Sequence, residues 1–321
     1  KERGKLVALY QFNIVFGILV AFASNYFIGS LVSGANAWRY MLGAEALPAL
    51  AYLLLITRVP RSPRWLLGRG EVDQARSVLA RLHNASVNID EVISDIDKAA
   101  ENETAETVFQ KKYRKQLWLV IALAAFNQFS GINAFLYYSP RIFEMAGLES
   151  SAALLSSIGV GAVNLIFTLI GLSLIDKSGR KKLMIIGSLG YIVSLGLVTY
   201  SFATEWFGMH VTYFFFLFIA SHAIGQGAVI WVFISEIFPN KQRAQGQAVG
   251  TSTHWVLAAI IPALVPLLFT TIGASTVFGI FTVMMVLQLV WVLLMLPGAK
   301  GVSLEELSKS LGQYQKTINK S

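Results

Sequence analysis

Eight stretches of this sequence are long and apolar enough to cross the roughly 30 Å hydrocarbon core of a bilayer at about 1.5 Å of rise per residue. Because lipid offers no partner to backbone N–H and C=O groups, each crossing must be a helix. The predicted spans are residues 6–32, 40–56, 117–138, 152–175, 183–203, 211–237, 248–270 and 276–296. Only 14% of the residues are charged, against about a quarter in a soluble domain. The sequence therefore predicts an all-α membrane protein with eight transmembrane helices.

Basic residues flank these spans very unevenly. Of the 26 lysines and arginines, all except Arg39 and Arg141 fall at the N-terminal tip, in the long polar segment, in the turns near residues 180 and 242, or in the tail. Positive charge accumulates in the cytoplasmic loops of membrane proteins, so both termini and the long segment are predicted to be cytoplasmic. The net charge of +8 then reflects topology, and no nucleic-acid partner is expected.

The one long polar segment, residues 58–116, is predicted to be a cytoplasmic linker of short amphipathic helices. Apolar residues recur there at helical spacing in 72–82 and in 89–96. The tail also has a helical pattern, because residues 303–306 have the spacing of a capping box and leucines follow on one stripe. A cytoplasmic helix is therefore predicted in the tail as well.

Four short motifs are more distinctive than the hydropathy. They are Pro-Arg-Ser-Pro-Arg-Trp-Leu at 60–66, Asn-Gln-Phe-Ser-Gly-Ile-Asn at 127–133, Asp-Lys-Ser-Gly-Arg-Lys-Lys at 176–182, and Trp-Val-Phe-Ile-Ser-Glu-Ile-Phe-Pro at 231–239. In this order and spacing they closely resemble the sugar porter family of the major facilitator superfamily, which includes facilitative glucose transporters and bacterial sugar–proton symporters. The resemblance covers essentially the whole chain, as helices five to twelve of that family.

This resemblance implies the major facilitator fold, in which two six-helix halves rock about a site near the middle of the membrane. Residues 1–57 would be the last two helices of the N-terminal half, 58–116 the helical cytoplasmic linker, 117–297 the C-terminal half and 298–321 a cytoplasmic tail. Four helices of the family's fold would lie outside this chain. We expect the chain on its own to bind sugar weakly and not to transport it.

Two glutamates of the family are replaced in this sequence, one by Arg61 in the first motif and one by Gly298 after the last span. In the family such glutamates resemble partners for the arginines of an inner gate. Their replacement bears on how firmly the cytoplasmic side closes, and it leaves the substrate site itself unaffected.

Neutral amides in the third span are the first candidates for a substrate site, because a sugar presents a ring of hydroxyl groups. In an unbroken helix Gln128 and Asn133 would point about 140° apart. Gly131 between them permits a local break that would bring both to one cavity. The resemblance implies that these two residues and Asn127 contact sugar hydroxyls. The alternative is that the amides only join helices, which contributes about 0.6 kcal/mol per bond.

Four further residues match sugar contacts of the family: Gln11 in the first span, Asn164 in the fourth, Trp231 in the sixth and His254 in the seventh. The resemblance implies that Trp231 packs against the sugar or lines its inner exit, and that His254 bonds the sugar where relatives carry an amide. The alternatives are an interfacial aromatic belt for Trp231 and a packing role for His254.

Glu45 is the only acidic residue deep inside a predicted span. A charge at that depth costs at least a few kcal/mol unless it is paired, protonated or hydrated. A buried carboxyl group can exchange protons near neutral pH, so Glu45 predicts coupling to a proton gradient. The resemblance here is to symporters, which carry a glutamate at this position, rather than to facilitative relatives.

Other residues are predicted to gate the site. Tyr137 and Tyr138 end the third span and resemble the family's outer gate, although an aromatic belt would also place tyrosines there. Ion pairs at inner helix ends could close the cytoplasmic side in one state and break in the other. The residues predicted for this inner gate are Asp176, Arg180, Glu236 and Arg243.

The sequence thus predicts transport of a hexose or pentose across the cell membrane by alternating access, coupled to a proton. Facilitated diffusion of a sugar, transport of a polyol such as inositol, and a non-transporting sugar sensor stay open as alternatives. An enzyme is not predicted, because the sequence has no nucleophile motif, phosphate loop or metal-ligand cluster, and it lacks cysteine. No cofactor or metal is expected, and the protein is predicted to be monomeric.

Overall fold

The computed structural model describes residues 2–32, 34, 36–82, 87–101, 107–239 and 242–296. Gly298 and the predicted tail helix lie outside these residues. Every regular element in the described part of the chain is helical, as predicted. The elements are α1 Glu2–Leu31, α2 Ala37–Ala44, α3 Ala46–Ile56, α4 Pro63–Leu67, α5 Val72–Leu82, α6 Ile89–Glu101, a 3₁₀ turn Lys111–Tyr113, α7 Arg114–Phe129, α8 Ile132–Met145, α9 Ser150–Ser178, α10 Arg180–Ala203, α11 Met209–His222, a π-helical turn Ala223–Gly227, α12 Ala228–Glu236, α13 Arg243–Thr271 and α14 Ala274–Met295.

All eight predicted spans are confirmed by length and hydropathy. They are Gln11–Leu31, Ala37–Ile56, Lys111–Met145, Ser150–Ile175, Arg180–Ala203, Met209–Ser235, Arg243–Thr271 and Ala274–Met295. Three of them are not single α-helices: α2 and α3 form the second span, α7 and α8 the third, and α11, the π-helical turn and α12 the sixth. Discontinuous spans of this kind often carry the binding sites of transporters.

The interruption of the second span has a local cause. Pro48 has no N–H to donate to the carbonyl of Ala44, one turn earlier, so the regular hydrogen-bond ladder cannot continue through this point. α2 ends at Ala44 and α3 begins at Ala46. Glu45 is therefore the residue at the break.

By its internal packing the chain divides into two compact units. The first consists of Lys1–Ala37 and Thr107–Ser321, and the second of Trp38–Glu106. In the first unit α1 packs along α9, α10 lies between α11 and α14, and α13 packs on α7. This division describes packing within the chain, so the domain boundaries expected at residues 57, 116 and 297 remain predictions.

A cluster of aromatic rings forms the core of the first unit. Phe135 of α8 stacks on Phe215 of α11 with 4.2 Å between ring centroids, and Phe143 and Phe218 meet these rings edge-on. All four side chains are at most 2% exposed. Offset and edge-to-face contacts are the favourable arrangements for aromatic pairs, so this cluster holds α8 against α11.

Elsewhere in the first unit, α10 approaches the π-helical turn closely enough to require glycine. A Cβ atom added to Gly187 would lie 2.8 Å from the Cα of Gly225, and one added to Gly225 would lie 2.9 Å from the Cα of Gly187. Two backbones can approach this closely only where neither carries a side chain. The glycine pair thus sets the position of the π-helical turn.

The second unit contains the linker helices, and the two predicted from the sequence, α5 and α6, are confirmed. Leu66 of α4 and Ala75 and Leu79 of α5 are at most 4% exposed, and α4 packs against α5. Arg76 of α5 lies 2.6 Å from Asp90 of α6. The hydrogen bond from this guanidinium, together with its charge, lowers the pKa of the Asp90 carboxyl.

Candidate functional site

The third span breaks between α7 and α8, at Ser130 and Gly131. Gly131 has φ of 77°, in the left-handed region, and a Cβ atom there would lie 2.4 Å from Cε2 of Phe281. The Ser130 hydroxyl donates a hydrogen bond of 2.6 Å to the carbonyl of Asn127 and accepts one from the N–H of Ile132 at 3.3 Å. These bonds satisfy backbone groups that the break removes from the helical ladder.

The break brings the three predicted amides into contact. Asn133 Nδ2 donates to Gln128 Oε1 at 2.9 Å, and Gln128 Nε2 donates to Asn127 Oδ1 at 3.0 Å. Asn127 and Gln128 are 2% and 1% exposed, whereas Asn133 is half-buried. The expectation that Gly131 would let Gln128 and Asn133 converge is confirmed, and we name these three residues the amide cluster.

His254 of α13 joins the amide cluster from a distant part of the chain. Gln128 Nε2 lies 3.2 Å from both ring nitrogens of His254. Because an amide nitrogen only donates, the ring nitrogen that bonds to it must be unprotonated. The imidazole is 7% exposed, so it closes one side of the cluster as a neutral acceptor.

Two indole rings flank this histidine. The ring centroid of His254 lies 4.9 Å from that of Trp231 and 5.0 Å from that of Trp255. Trp231 is half-buried, while Trp255 is 55% exposed. The candidate site therefore combines buried amides, an imidazole and a partly accessible aromatic ring.

Gln11 and Asn164 are placed differently. Asn164 is 4% exposed on α9, where its Oδ1 accepts a long bond of 3.4 Å from Thr168. Gln11 is half-buried on α1, the helix that packs along α9. Among the side-chain hydrogen bonds of the described residues, none joins either amide to the amide cluster. Their predicted contact with substrate stays a prediction.

Glu45, the predicted proton-coupling residue, belongs to the second unit. It lies at the break between α2 and α3, within the span Ala37–Ile56, and its side chain is exposed on the surface of that unit. Its backbone N–H donates to the carbonyl of Leu42 at 3.2 Å. This carboxyl group thus belongs to a membrane span, and its role in proton coupling stays a prediction.

The predicted gating residues occupy helix ends and edges. Tyr137 is 58% exposed and Tyr138 half-buried on α8. Arg180 and Arg243 are half-buried at the first residues of α10 and α13. The Nε of Arg243 is buried without a hydrogen-bond partner within the described residues. The side chains of Asp176 and Glu236 lie outside the described part of the chain, so the inner ion pairs remain predictions.

A second buried polar network was not anticipated from the sequence. Gln226 Nε2, in the π-helical turn, donates to Gln288 Oε1 at 2.6 Å, and Gln288 Nε2 donates to Ser188 Oγ at 2.7 Å. All three side chains are at most 1% exposed. The sequence signal that could have indicated this network is Gln288 itself, which is the one amide in the strongly apolar α14.

The imidazole of His222 contacts a buried tyrosine. Its Nδ1 lies 2.5 Å from the hydroxyl of Tyr191, which is fully buried on α10. This contact gives the His222 imidazole a partner within the protein.

Buried neutral amides beside an aromatic ring, in a discontinuous membrane span, are typical of a solute transporter. A family model described as "Sugar (and other) transporter" matches residues 1–311. The chain belongs to this family. The predicted family and the predicted major facilitator fold are confirmed.

Individual relatives agree with this placement. The "Probable metabolite transport protein CsbC" of Bacillus subtilis is 36% identical, over 97% of this chain and 68% of the relative. The "D-xylose-proton symporter" of Escherichia coli K12 is 33% identical, over 95% of this chain and 64% of the relative. The inward open structure of the xylose transporter XylE from E. coli superposes with a TM-score of 0.81 at 32% identity, covering 96% of this chain and 65% of that chain. The chain thus spans about two thirds of the length of these relatives.

Proposed function

We propose that this protein carries a sugar across the membrane by alternating access, together with a proton. The observation that carries the proposal is the amide cluster at the break of the third span, with His254 and Trp231 beside it. Membership in the sugar (and other) transporter family and similarity to a D-xylose–proton symporter support it.

The chemistry of the cluster suits a neutral, hydroxylated solute. Amides both donate and accept hydrogen bonds, so they match sugar hydroxyls, which do the same. Gln128 and Asn127 are held by neighbours and form a rigid base, whereas half-buried Asn133 and Trp231 keep accessible surface. The side chains that bond to Gln128 are all neutral. A carboxylated or phosphorylated substrate would need a basic partner instead.

Glu45 is the proposed proton carrier. A carboxyl group within a span can take up and release a proton as its surroundings change between the two states of the cycle. In this proposal Tyr137 and Tyr138 close the outer side of the site, and Arg180 and Arg243 close the inner side by pairing with Asp176 and Glu236.

The proposal includes the remaining predictions on placement and assembly. The protein acts as a monomer in the cell membrane, with the 58–116 linker and both termini of this chain in the cytoplasm. It needs no cofactor, because neither solute binding nor proton exchange at a carboxyl group requires one.

The test is uptake of a labelled panel of hexoses, pentoses and inositol into proteoliposomes by the protein expressed from its full gene, with and without an imposed proton gradient. Two variants accompany the wild type. Glu45→Gln should abolish accumulation against a sugar gradient while leaving sugar exchange in place. Gln128→Leu should weaken sugar binding about 30-fold, because it removes the two hydrogen bonds, of about 1 kcal/mol each, that hold Asn127 and Asn133 in place.

Gln288→Leu is the matched control for Gln128→Leu. It makes the same chemical change at an equally buried glutamine that belongs to the other polar network. Sugar binding that falls equally in both variants would assign the loss to stability rather than to contact with sugar. Uptake of no sugar under any condition would refute the assignment as a sugar transporter. Uptake of inositol alone would make the substrate a polyol. Equilibration of the sugar independent of the proton gradient would make the protein a facilitator.

A further inference from the structure

Four arginines follow directly on the second span. The span ends at Ile56, and the next acidic residue is Glu71. The arginines between them are Arg58, Arg61, Arg64 and Arg69, and all four side chains are exposed. This stretch therefore carries four positive charges and no negative charge at the edge of the membrane.

Two of these arginines share one aromatic ring. The guanidinium carbon of Arg61 lies 4.5 Å from the ring centroid of Trp65, and that of Arg69 lies 4.6 Å from the same centroid. Cation–π contacts of this kind hold a guanidinium group in place while its N–H donors stay available. Two like charges beside one ring also repel each other, so an anion that binds these guanidinium groups would relieve the repulsion.

No carboxylate of the described residues neutralises this group. Among the described residues, Arg76 pairs with Asp90, whereas Arg58, Arg61, Arg64 and Arg69 make no ion pair within 4 Å. The cluster therefore offers guanidinium donors without an acidic partner from the described protein.

The backbone beneath the cluster is held by hydrogen bonds. Leu66, beside Trp65, is 1% exposed, and its carbonyl accepts the N–H groups of Arg69 and Glu71 at 3.1 and 2.9 Å. Gly70 turns the chain with φ of 79°. The same stretch also exposes apolar surface, since Trp65 is 40% and Val59 60% exposed. Arginine beside tryptophan and aliphatic side chains is the composition of a surface that lies at the lipid interface.

We propose that Arg61 and Arg69, held against Trp65, bind the phosphate of an anionic phospholipid, with Arg58 and Arg64 adding to the attraction. A lipid suits this position better than a soluble anion, because the cluster begins two residues after the span and a membrane-anchored headgroup is always within reach. Guanidinium groups bind phosphate oxygens through paired N–H donors. The proposal rests on the placement of Ala37–Ile56 in the membrane and not on sugar transport.

The test is native mass spectrometry of the purified protein in detergent, titrated with phosphatidylglycerol or with phosphatidylcholine. We expect selective retention of phosphatidylglycerol by the wild type. The variant Arg61→Gln/Arg69→Gln should bind it about 30-fold more weakly, from about 1 kcal/mol per arginine near the membrane surface. Arg39→Gln is the matched control, because Arg39 also rests on a tryptophan, Trp38, at the other end of the same span.

A second variant separates a built site from diffuse charge. Arg61→Lys/Arg69→Lys keeps both charges, and with them the topology of the span, but loses the paired donors. We expect several-fold weaker retention of phosphatidylglycerol. Wild-type retention by the lysine variant, an equal loss in Arg39→Gln, or equal retention of the two lipids by the wild type would each overturn the proposal. So would displacement of the lipid by an equal concentration of inorganic phosphate, which would make the ligand a soluble anion.

Discussion

The backbone break at Gly131 makes a sharp prediction for Gly131→Ala. The new methyl group would lie 2.4 and 2.5 Å from two ring carbons of Phe281, at a backbone φ of 77°. Phe281 is 8% exposed and belongs to the core, so it has little room to move. The variant must therefore either strain the break or let the span straighten.

Both outcomes have a calculable cost. A non-glycine residue in the left-handed region costs about 1–2 kcal/mol, and forcing a methyl group into a packed core costs about 1–3 kcal/mol. The break should thus be destabilised by about 2–5 kcal/mol. Straightening the span would relieve this strain, but it would separate Gln128 from Asn133 and cost the site two or more hydrogen bonds to the sugar. Sugar affinity should then fall about 30-fold.

The measurements are thermal unfolding and binding of the sugar selected by the uptake panel, with binding followed by the intrinsic tryptophan fluorescence of the protein. Gly196→Ala is the control, because a Cβ atom at Gly196 meets nothing within 4 Å and alanine is favoured over glycine within a helix. A double variant, Gly131→Ala/Phe281→Leu, should recover part of the stability lost in Gly131→Ala, since the shorter side chain removes the ring that the methyl group meets.

Wild-type stability and wild-type affinity in Gly131→Ala would refute this reasoning. A double-variant cycle with no coupling between positions 131 and 281 would show that the clash with the Phe281 ring is not the cause of any loss.

Three further predictions concern single contacts. His254→Gln should keep most of the sugar affinity, because the new amide oxygen can still accept the hydrogen bond from Gln128. His254→Leu should lower the affinity at least tenfold in a calorimetric titration. Equal affinities of the two variants would leave His254 only a packing role. Leu66→Ala should destabilise the linker helices by about 2–5 kcal/mol and speed hydrogen exchange in α5, while Val72→Ala, at a 42% exposed position, should change exchange little. The lowered pKa of Asp90 means that its pair with Arg76 stabilises the linker above the ordinary aspartate pKa and that this contribution is lost as the pH falls through the lowered value. An NMR titration should show the Asp90 pKa rising towards its ordinary range in Arg76→Gln, and an unchanged pKa would contradict the pairing.

Some features of this protein follow from neighbouring residues alone. The eight spans depend on runs of apolar side chains, and α5 and α6 depend on apolar residues at helical spacing, so both were predictable without knowledge of packing. The break at Gly131 was predictable in the same way, because only glycine enters the left-handed region at low cost. Predicting the convergence of Gln128 and Asn133 also required the rotation per residue of a helix, which shows that an unbroken helix would point them apart.

Other features depend on which helices meet, and no local pattern specifies that. His254 lies 126 positions after Gln128, and its role as an acceptor appears only when α13 packs on α7. The network of Gln226, Gln288 and Ser188 likewise joins residues from three helices. Local sequence limits each segment to a helix because lipid leaves its backbone no other partner, whereas the pairing of buried side chains is decided by the close packing of whole helices in the tertiary structure.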